Sequence, residues 1–248
     1  MKNKAVDYLI KDSIDFHIHV DPDPFHERSI DAYDLSYKAQ QLGMKAVVLK
    51  SHHYGTAPLA YLVNKINPEF LTFGSLVLNG AVGGINPEVV EVAAKLDTRV
   101  IWMPTYSSVP DSKRRKTSKA LIYSPKNAQD NGISIINNKN QLISPLETIL
   151  EIIKDYEIVL CTGHISIPEI YALVDEAIKR EIKIVVTHPV TPHVGSPLSS
   201  QQQIELVKKG AFIEHCFSVC LPFLGNLDPN ILVHHIKSIG ARHCILST

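Results

Sequence analysis

The residues best able to do chemistry in this sequence are histidines, and their spacing is uneven. Of the 12 present, His17, His19, His52, His53, His164, His188 and His215 fall at or just past the C-terminal end of a predicted β-strand. Neutral imidazoles suit borderline divalent cations, and a catalytic Zn²⁺ takes about three protein ligands and keeps an open position for water. His17 and His19 stand two apart in Ser13-Ile14-Asp15-Phe16-His17-Ile18-His19-Val20. In an extended strand alternate side chains share a face, so Ile14, Phe16, Ile18 and Val20 form one row and Asp15, His17 and His19 the other. A surface strand with two histidines would show the same spacing, and a lone strand-end histidine is commonly a cap or core residue. Taken together, His17, His19, His164 and His188 suit a metal centre.

Other residues fall at the same strand ends. Val48, Lys50 and His52 share a parity, which sets an ammonium and an imidazole where they could bind or polarise a substrate; the alternative for Lys50 is a lysine snorkelling to water. Gly163 lets the backbone turn so that His164 can lean inward. Glu214 and His215 have opposite parity, so only one faces inward. Glu214 shares its row with Phe212 and Cys216 and is the candidate for moving protons or orienting a ligand, against a solvated strand-end carboxylate. His215 is a candidate for substrate contact. Asn79 opens the loop 79–86, whose glycine amides could hold an anion or simply form a tight turn. Arg28, beyond the stiff Asp21-Pro22-Asp23-Pro24, could reach substrate. The run Lys113-Arg114-Arg115-Lys116 is either a solvated loop or part of a lid meeting an anionic group.

To position these residues the chain needs strands whose ends converge. Short runs rich in Val and Ile alternate with amphipathic stretches, the pattern of repeated βα units around a parallel sheet. Strands are predicted over 13–20, 45–50, 70–78, 99–103, 158–162, 183–187, 211–217 and 243–247. Helices are predicted over 31–42, 56–66, from Asn86-Pro87-Glu88 onward, and over 145–156, 168–179, 201–209 and 230–239. An insertion over 106–144 interrupts the rhythm and carries a predicted hairpin, Ile133-Ser134-Ile135-Ile136 turning at Asn137-Asn138. Eight strands of this kind predict one (β/α)8 barrel domain over 1–248, with chemistry at the C-terminal strand ends. The chain stops at strand eight without a final helix. We expect the natural protein to continue, or the N-terminal stretch or a partner subunit in a homo-oligomer to cover the exposed outer face.

The hydrophobic fraction is 45%, the charged fraction 20% and the formal net charge zero. No global field favours nucleic acid, and no apolar run approaches the ~18 residues of a membrane span. No secretory signal is visible after Met1-Lys2-Asn3-Lys4, and the four cysteines form no C-x-x-C pair; both features lead us to expect a cytoplasmic protein.

The sequence resembles the amidohydrolase superfamily of metal-dependent barrels in its His17-Ile18-His19 strand, in His164 ending strand five and in His188 ending strand six. It is more closely similar to a family of amidohydrolase-like microbial proteins in Asp15-Phe16-His17-Ile18-His19, Lys50-Ser51-His52, the run from Leu78 to Pro87, Trp102-Met103-Pro104-Thr105 and Thr162-Gly163-His164. The resemblance covers nearly the whole chain and implies a barrel with a hydrolytic metal site. It also implies an aspartate at the end of strand eight, where Ser247-Thr248 stands; we expect aspartate as the next residue of the natural protein, and weak turnover without it. The bridging lysine that binuclear members carry on strand four has no counterpart in Trp102-Met103-Pro104-Thr105, so a mononuclear site is expected unless Lys50 or a carboxylate bridges.

These readings lead to a hydrolase acting on a small-molecule amide, lactone or ester through a water activated by a divalent metal, most naturally Zn, with Mn or Fe as alternatives. His17, His19, His164 and His188 are the expected ligands, Lys50, His52 and Glu214 the catalytic residues, and Asn79, Arg28 and His215 the substrate contacts. The rivals are a metal-dependent phosphoesterase on a related barrel and a non-catalytic barrel that binds a metabolite.

Overall fold

The computed structural model describes residues 8–117, 131–222 and 224–248. Eight parallel strands form one sheet in sequential order: β1 (Ile14–His19), β2 (Ala46–Lys50), β3 (Leu71–Val77), β4 (Thr98–Trp102), β5 (Val159–Cys161), β6 (Ile184–Val186), β7 (Phe212–Cys216) and β8 (Cys244–Ser247). The two edges approach where Thr248 Oγ1 donates to Asp15 Oδ2 at 2.5 Å. The result is the predicted (β/α)8 barrel, nearly closed. Helices α1 (Ala32–Gln41), α2 (Ala57–Ile66), α3 (Pro87–Lys95), α4 (Val109–Thr117), α5 (Pro145–Asp155), α6 (Ile167–Lys179), α7 (Ser200–Lys209) and α8 (Pro229–Ile239) link the strands. No described helix is long and apolar enough to cross a membrane.

Local signals account for these boundaries. Asp31 accepts the Asp34 amide at the start of α1, and Asn86 accepts the Glu88 amide ahead of Pro87 at the first position of α3, so donors that the helix leaves unpaired find partners. Ser199 and Gln202 form a reciprocal capping box at the start of α7, which Gly210 ends in the left-handed conformation. Strand β2 is buried along its whole length. Its outer row, Val47 and Leu49, packs with Leu35 and Ala39 of α1 and Ala60 and Val63 of α2. A larger outer cluster joins the sheet to α3, α5, α6 and α7 through residues such as Ile101, Ile149, Leu173 and Leu206.

Inside the barrel, Val48, Val77, Val100, Trp102, Cys161 and Val185 form a separate cluster, with Phe16 and Phe73 packed against it. Phe16 corrects the simple alternation expected of β1. Asp15 pairs with Val47 and Ile18 with Leu49, so three steps along β1 match two along β2. This bulge resets the parity. Phe16 therefore reaches the Trp102 ring at 5.9 Å, and the His17 ring reaches it at 5.5 Å. Ile18 and Val20 still face α1.

The insertion also differs from expectation. The basic run lies on α4 rather than in a loop: Arg114 donates to Asp111 Oδ1 at 2.6 Å and to the Gly195 carbonyl at 3.1 Å, while Arg115 donates to the Tyr106 carbonyl and to Ser112. The hairpin reduces to a single antiparallel bridge, Ile136 with Leu142, around a turn in which the Asn137 amide donates to the Gln141 carbonyl at 2.9 Å. Buried Glu169 of α6 anchors this segment, accepting from Ile135 N and Ser134 Oγ at 2.8 Å each. Part of the predicted insertion, 118–130, lies outside the described residues.

Candidate metal centre

A cavity of about 370 Å³ opens at the C-terminal ends of the strands, and His17, His19, Lys50, His52, His164 and His188 line it. All six were expected there. Ring centroids lie 5.4 Å apart for His17 and His19, 5.8 Å for His17 and His188, and 5.0 Å for His164 and His188. Imidazoles on one tetrahedral ion, at bonds of about 2.0–2.1 Å, would stand about 5 Å apart by centroid.

His164 is the most completely positioned of these side chains. Gly163 has φ +58°, and a Cβ there would lie 2.2 Å from the Met103 carbonyl oxygen, so this turn requires glycine. The turn lets the His164 amide donate to the Pro104 carbonyl at 2.9 Å. His164 Nδ1 donates to Asp111 Oδ2 at 2.7 Å, and Asp111 Oδ1 accepts the Gly195 amide at 2.8 Å. A proton held on Nδ1 by a carboxylate leaves the Nε2 lone pair available. That Nε2 faces His188 Nε2 at 3.2 Å; two nitrogens on a tetrahedral zinc are separated by about 3.3 Å. His188 has φ +24°, a left-handed conformation uncommon for residues with a Cβ.

His17 has a second carboxylate partner. Its Nδ1 donates to Glu214 Oε1 at 2.8 Å, and Glu214 also accepts from Ser247 Oγ at 2.8 Å. Glu214 is fully buried on the inner row of β7, as the parity argument required, but stands behind His17 and not on the cavity wall. With Nδ1 protonated, His17 Nε2 accepts from Lys50 Nζ at 2.9 Å. Lys50 also sits 4.7 Å above the Trp102 ring. Burial pulls its ammonium down to about 8, against the upward pull of Glu214. Burial likewise holds His17, His19, His52 and His188 well below the ordinary imidazole value, with the Lys50 charge adding to it at each. They are neutral at pH 7, the state a metal needs. His19 Nδ1 is buried without a partner among the described residues.

His52 is placed by a polar relay. Asn79 Nδ2 donates to Thr105 Oγ1 at 2.7 Å and to the His52 carbonyl at 3.0 Å, while Asn79 Oδ1 accepts the Thr105 and Ser107 amides. The Thr105 hydroxyl proton is then left for His52 Nδ1, 2.9 Å away, making Nε2 the protonated nitrogen.

Two expected substrate contacts are not brought to the cavity. Asn79 is fully buried and its amide is spent on the backbone and Thr105, so it positions His52 from behind. His215 occupies the outer row of β7 and meets His235 of α8 at 6.2 Å between ring centroids. Both its ring nitrogens are buried without a partner among the described residues. Burial, aided by His235, pulls its imidazole down to about 4. A base whose folded value lies below its unfolded value of 6.5 gives stability that is full above pH 6.5 and lost as pH falls through 4. His215→Leu is therefore expected to hold its melting temperature at pH 7 and to lose less stability than the parent between pH 6.5 and 4, by on the order of 2–3 kcal/mol. Melting curves across that range check this.

Arg28 does line the cavity. Sequence reasoning missed Asp111 and Cys216. Asp111 sits 53 positions before His164 in a stretch whose visible feature is its positive charge, and nothing marks it as a partner. Cys216 Sγ lies 3.6 Å from His17 Nδ1, and His17, His188 and Cys216 each offer a ligand atom within 4.8 Å of the others. The inner parity of β7 could have revealed it, since Cys216 shares the row of Glu214.

No curated protein matches the chain. Among solved structures, an amidohydrolase from Pseudomonas aeruginosa superposes with a TM-score of 0.60 at 12% identity, covering 97% of this chain and 75% of that one. A 2,6-dihydroxybenzoate decarboxylase complexed with 2,6-dihydroxybenzoate gives 0.51 at 11% identity over 96% and 88%. A β-aspartyl dipeptidase from Fervidobacterium islandicum AW-1 gives 0.51 at 13% identity, covering 96% of this chain and 58% of the dipeptidase. These likenesses are of fold, and they match the resemblance to amidohydrolase barrels expected from the sequence. Residues 12–214 match the model described as "Family of unknown function (DUF6282)", and the chain belongs to that family.

Proposed function

We propose that the protein is a metal-dependent hydrolase that cleaves a C–N or C–O bond of a small amide, lactone or ester, working as a single domain in the cytoplasm. The observation that carries this reading is the 3.2 Å approach of His164 Nε2 to His188 Nε2, with the far nitrogen of His164 tied to Asp111. With the His164 Nε2 lone pair turned to His188, the two nitrogens either share a proton donated by His188 Nε2 or hold a cation between them. The second arrangement is the one we take, because the gathered neutral imidazoles around them supply further nitrogen donors. Among the described residues, the group whose donor atoms lie mutually within 4.8 Å is His17, His188 and Cys216. We take His164, whose Nε2 is 3.2 Å from His188 Nε2, and His19 on the same wall as the imidazoles that complete a divalent site, and nitrogen-rich ligation favours Zn over Mn or Fe.

When bound, such an ion supplies Lewis acidity, bringing the pKa of a coordinated water from about 15.7 toward about 7 and polarising the scissile group. The remaining work falls to protein groups. Asp111 and Glu214 fix the tautomer and orientation of His164 and His17. Lys50 brings an ammonium to the cavity wall from a buried seat over Trp102, where it can hold developing negative charge on substrate oxygen. His52, with its proton on Nε2, donates from the adjacent wall.

The phosphoesterase alternative would draw on the basic run and the glycine loop. Arg114 and Arg115 are committed to Asp111, Ser112 and backbone carbonyls, and Gly80 N donates to Ser107 Oγ, so neither cradle supports it. Zinc-loaded protein assayed against amide, lactone and carboxylic-ester panels and against phosphate esters tests the assignment. Chelator-sensitive turnover confined to the first group is expected; turnover of phosphate esters alone, or none in either panel, contradicts it.

A further inference from the structure

The cavity wall has a charge pattern that a metal site alone does not require. Among the described residues, its two formally cationic side chains are Lys50 and Arg28, and no aspartate or glutamate side chain lines it. Pro192, Val194, Val219 and Leu224 supply an apolar portion of the same wall.

Arg28 is held there by a built platform. In the loop after β1, Asp23 Oδ1 accepts the Phe25 and His26 amides at 3.0 and 3.1 Å, which fixes the carboxylate. Its other oxygen takes Arg28 Nε at 2.9 Å and Nη2 at 2.5 Å, and the Arg28 amide donates to Asp21 Oδ1 at 3.2 Å. Asp23 is nearly fully buried, and a quarter of the Arg28 side chain remains accessible. These bonds use one edge of the guanidinium. Among the described residues no acceptor meets Nη1, so the second edge, Nη1 with the remaining Nη2 proton, is available to a ligand. A planar two-donor edge matches the two oxygens of a carboxylate, and a side chain already ordered by a buried partner loses little entropy on binding.

We propose that Arg28 is the carboxylate-binding residue of this cavity and that the substrate is a small carboxylate-bearing molecule with an apolar body lying against Val194, Val219 and Leu224. The inference rests on reading the cavity as the substrate site of the proposed hydrolase. A volume of about 370 Å³ lies at the small end of ligand pockets, which limits that body to about the size of one ring or a short chain. A planar edge rather than a ring of converging donors favours carboxylate over phosphate.

Isothermal titration of zinc-loaded protein with benzoate, benzamide and phenyl phosphate tests this, with zinc content measured on the same samples. Benzoate is expected to bind at least about tenfold more tightly than benzamide, and Arg28→Gln to weaken benzoate at least about tenfold while leaving zinc content and benzamide binding unchanged. Arg28→Lys, which keeps the charge and loses the fork, is expected between the two. Benzamide binding as well as benzoate, an unaltered benzoate affinity in Arg28→Gln or full recovery in Arg28→Lys overturns the proposal. So does phenyl phosphate binding more tightly than benzoate, or no binding of any probe. Wild-type protein that fails to hold zinc contradicts the metal reading instead, whereas lost benzoate selectivity at full zinc content contradicts only the carboxylate assignment.

Discussion

His188→Ala is expected to leave a folded protein that retains no stoichiometric divalent ion and whose kcat/KM falls by at least about a thousand-fold, since the Lewis acid and the water it activates are lost together. Folding should survive because His188 stands at the cavity, past the last strand residue of β6, while the apolar packing of β6 comes from Ile184, Val185 and Val186. Asp111→Asn makes the same argument in graded form. Asparagine keeps the volume but offers His164 Nδ1 a neutral acceptor, and loss of such a partner costs about 10–100-fold in metal affinity. Chelator competition on the three proteins ranks them. Equal affinity in parent and Asp111→Asn would show that the 2.7 Å contact does not tune the centre.

Lys50→Met separates chemistry from metal holding. The ammonium is buried, packed over Trp102 and hydrogen-bonded to His17, and methionine fills much of its volume without the charge. We expect the variant to retain its ion, because Lys50 is itself a competitor for the His17 Nε2 lone pair, and to lose about 10²–10⁴ in kcat. The parent should also show a pH dependence that the variant lacks. Burial lowers Lys50 to about 8 without an ion, and a cation beside it lowers it further, so the group is charged only below a value no higher than about 8. If the ammonium holds developing charge, kcat falls as pH rises toward and through about 8, and Lys50→Met flattens that limb. A parent rate that rises with pH over that range, and loses the rise in Lys50→Met, would assign Lys50 as a base.

Much of this site was legible in the sequence because strand-end residues obey a two-residue period. Parity put Lys50 and His52 on one wall, chose Glu214 over His215 for the inner row of β7, and predicted that His164 would follow a sharp glycine turn. The period fails where the ladder slips. The extra residue between Asp15 and Ile18 sends Phe16 inward with His17, and nothing in that apolar-polar alternation signals it. The supporting carboxylate Asp111 was invisible for a different reason. It reaches His164 because α4 folds back over the barrel mouth, a tertiary event that sequence spacing does not encode. Asn79 misled in the opposite direction: a polar residue beside glycines suggests a ligand loop, but a fully buried amide must first satisfy its own donors and acceptor, and the His52 carbonyl just past β2 with Thr105 and Ser107 after β4 do that.

Metal analysis of protein purified without added metal tests the central claim most directly. One zinc-class divalent ion per chain, removed by chelator and absent from His188→Ala purified in parallel, is the predicted result. A parent chain that carries no ion and takes none up on titration with zinc would mean that the four imidazoles gather for some purpose other than holding a cation.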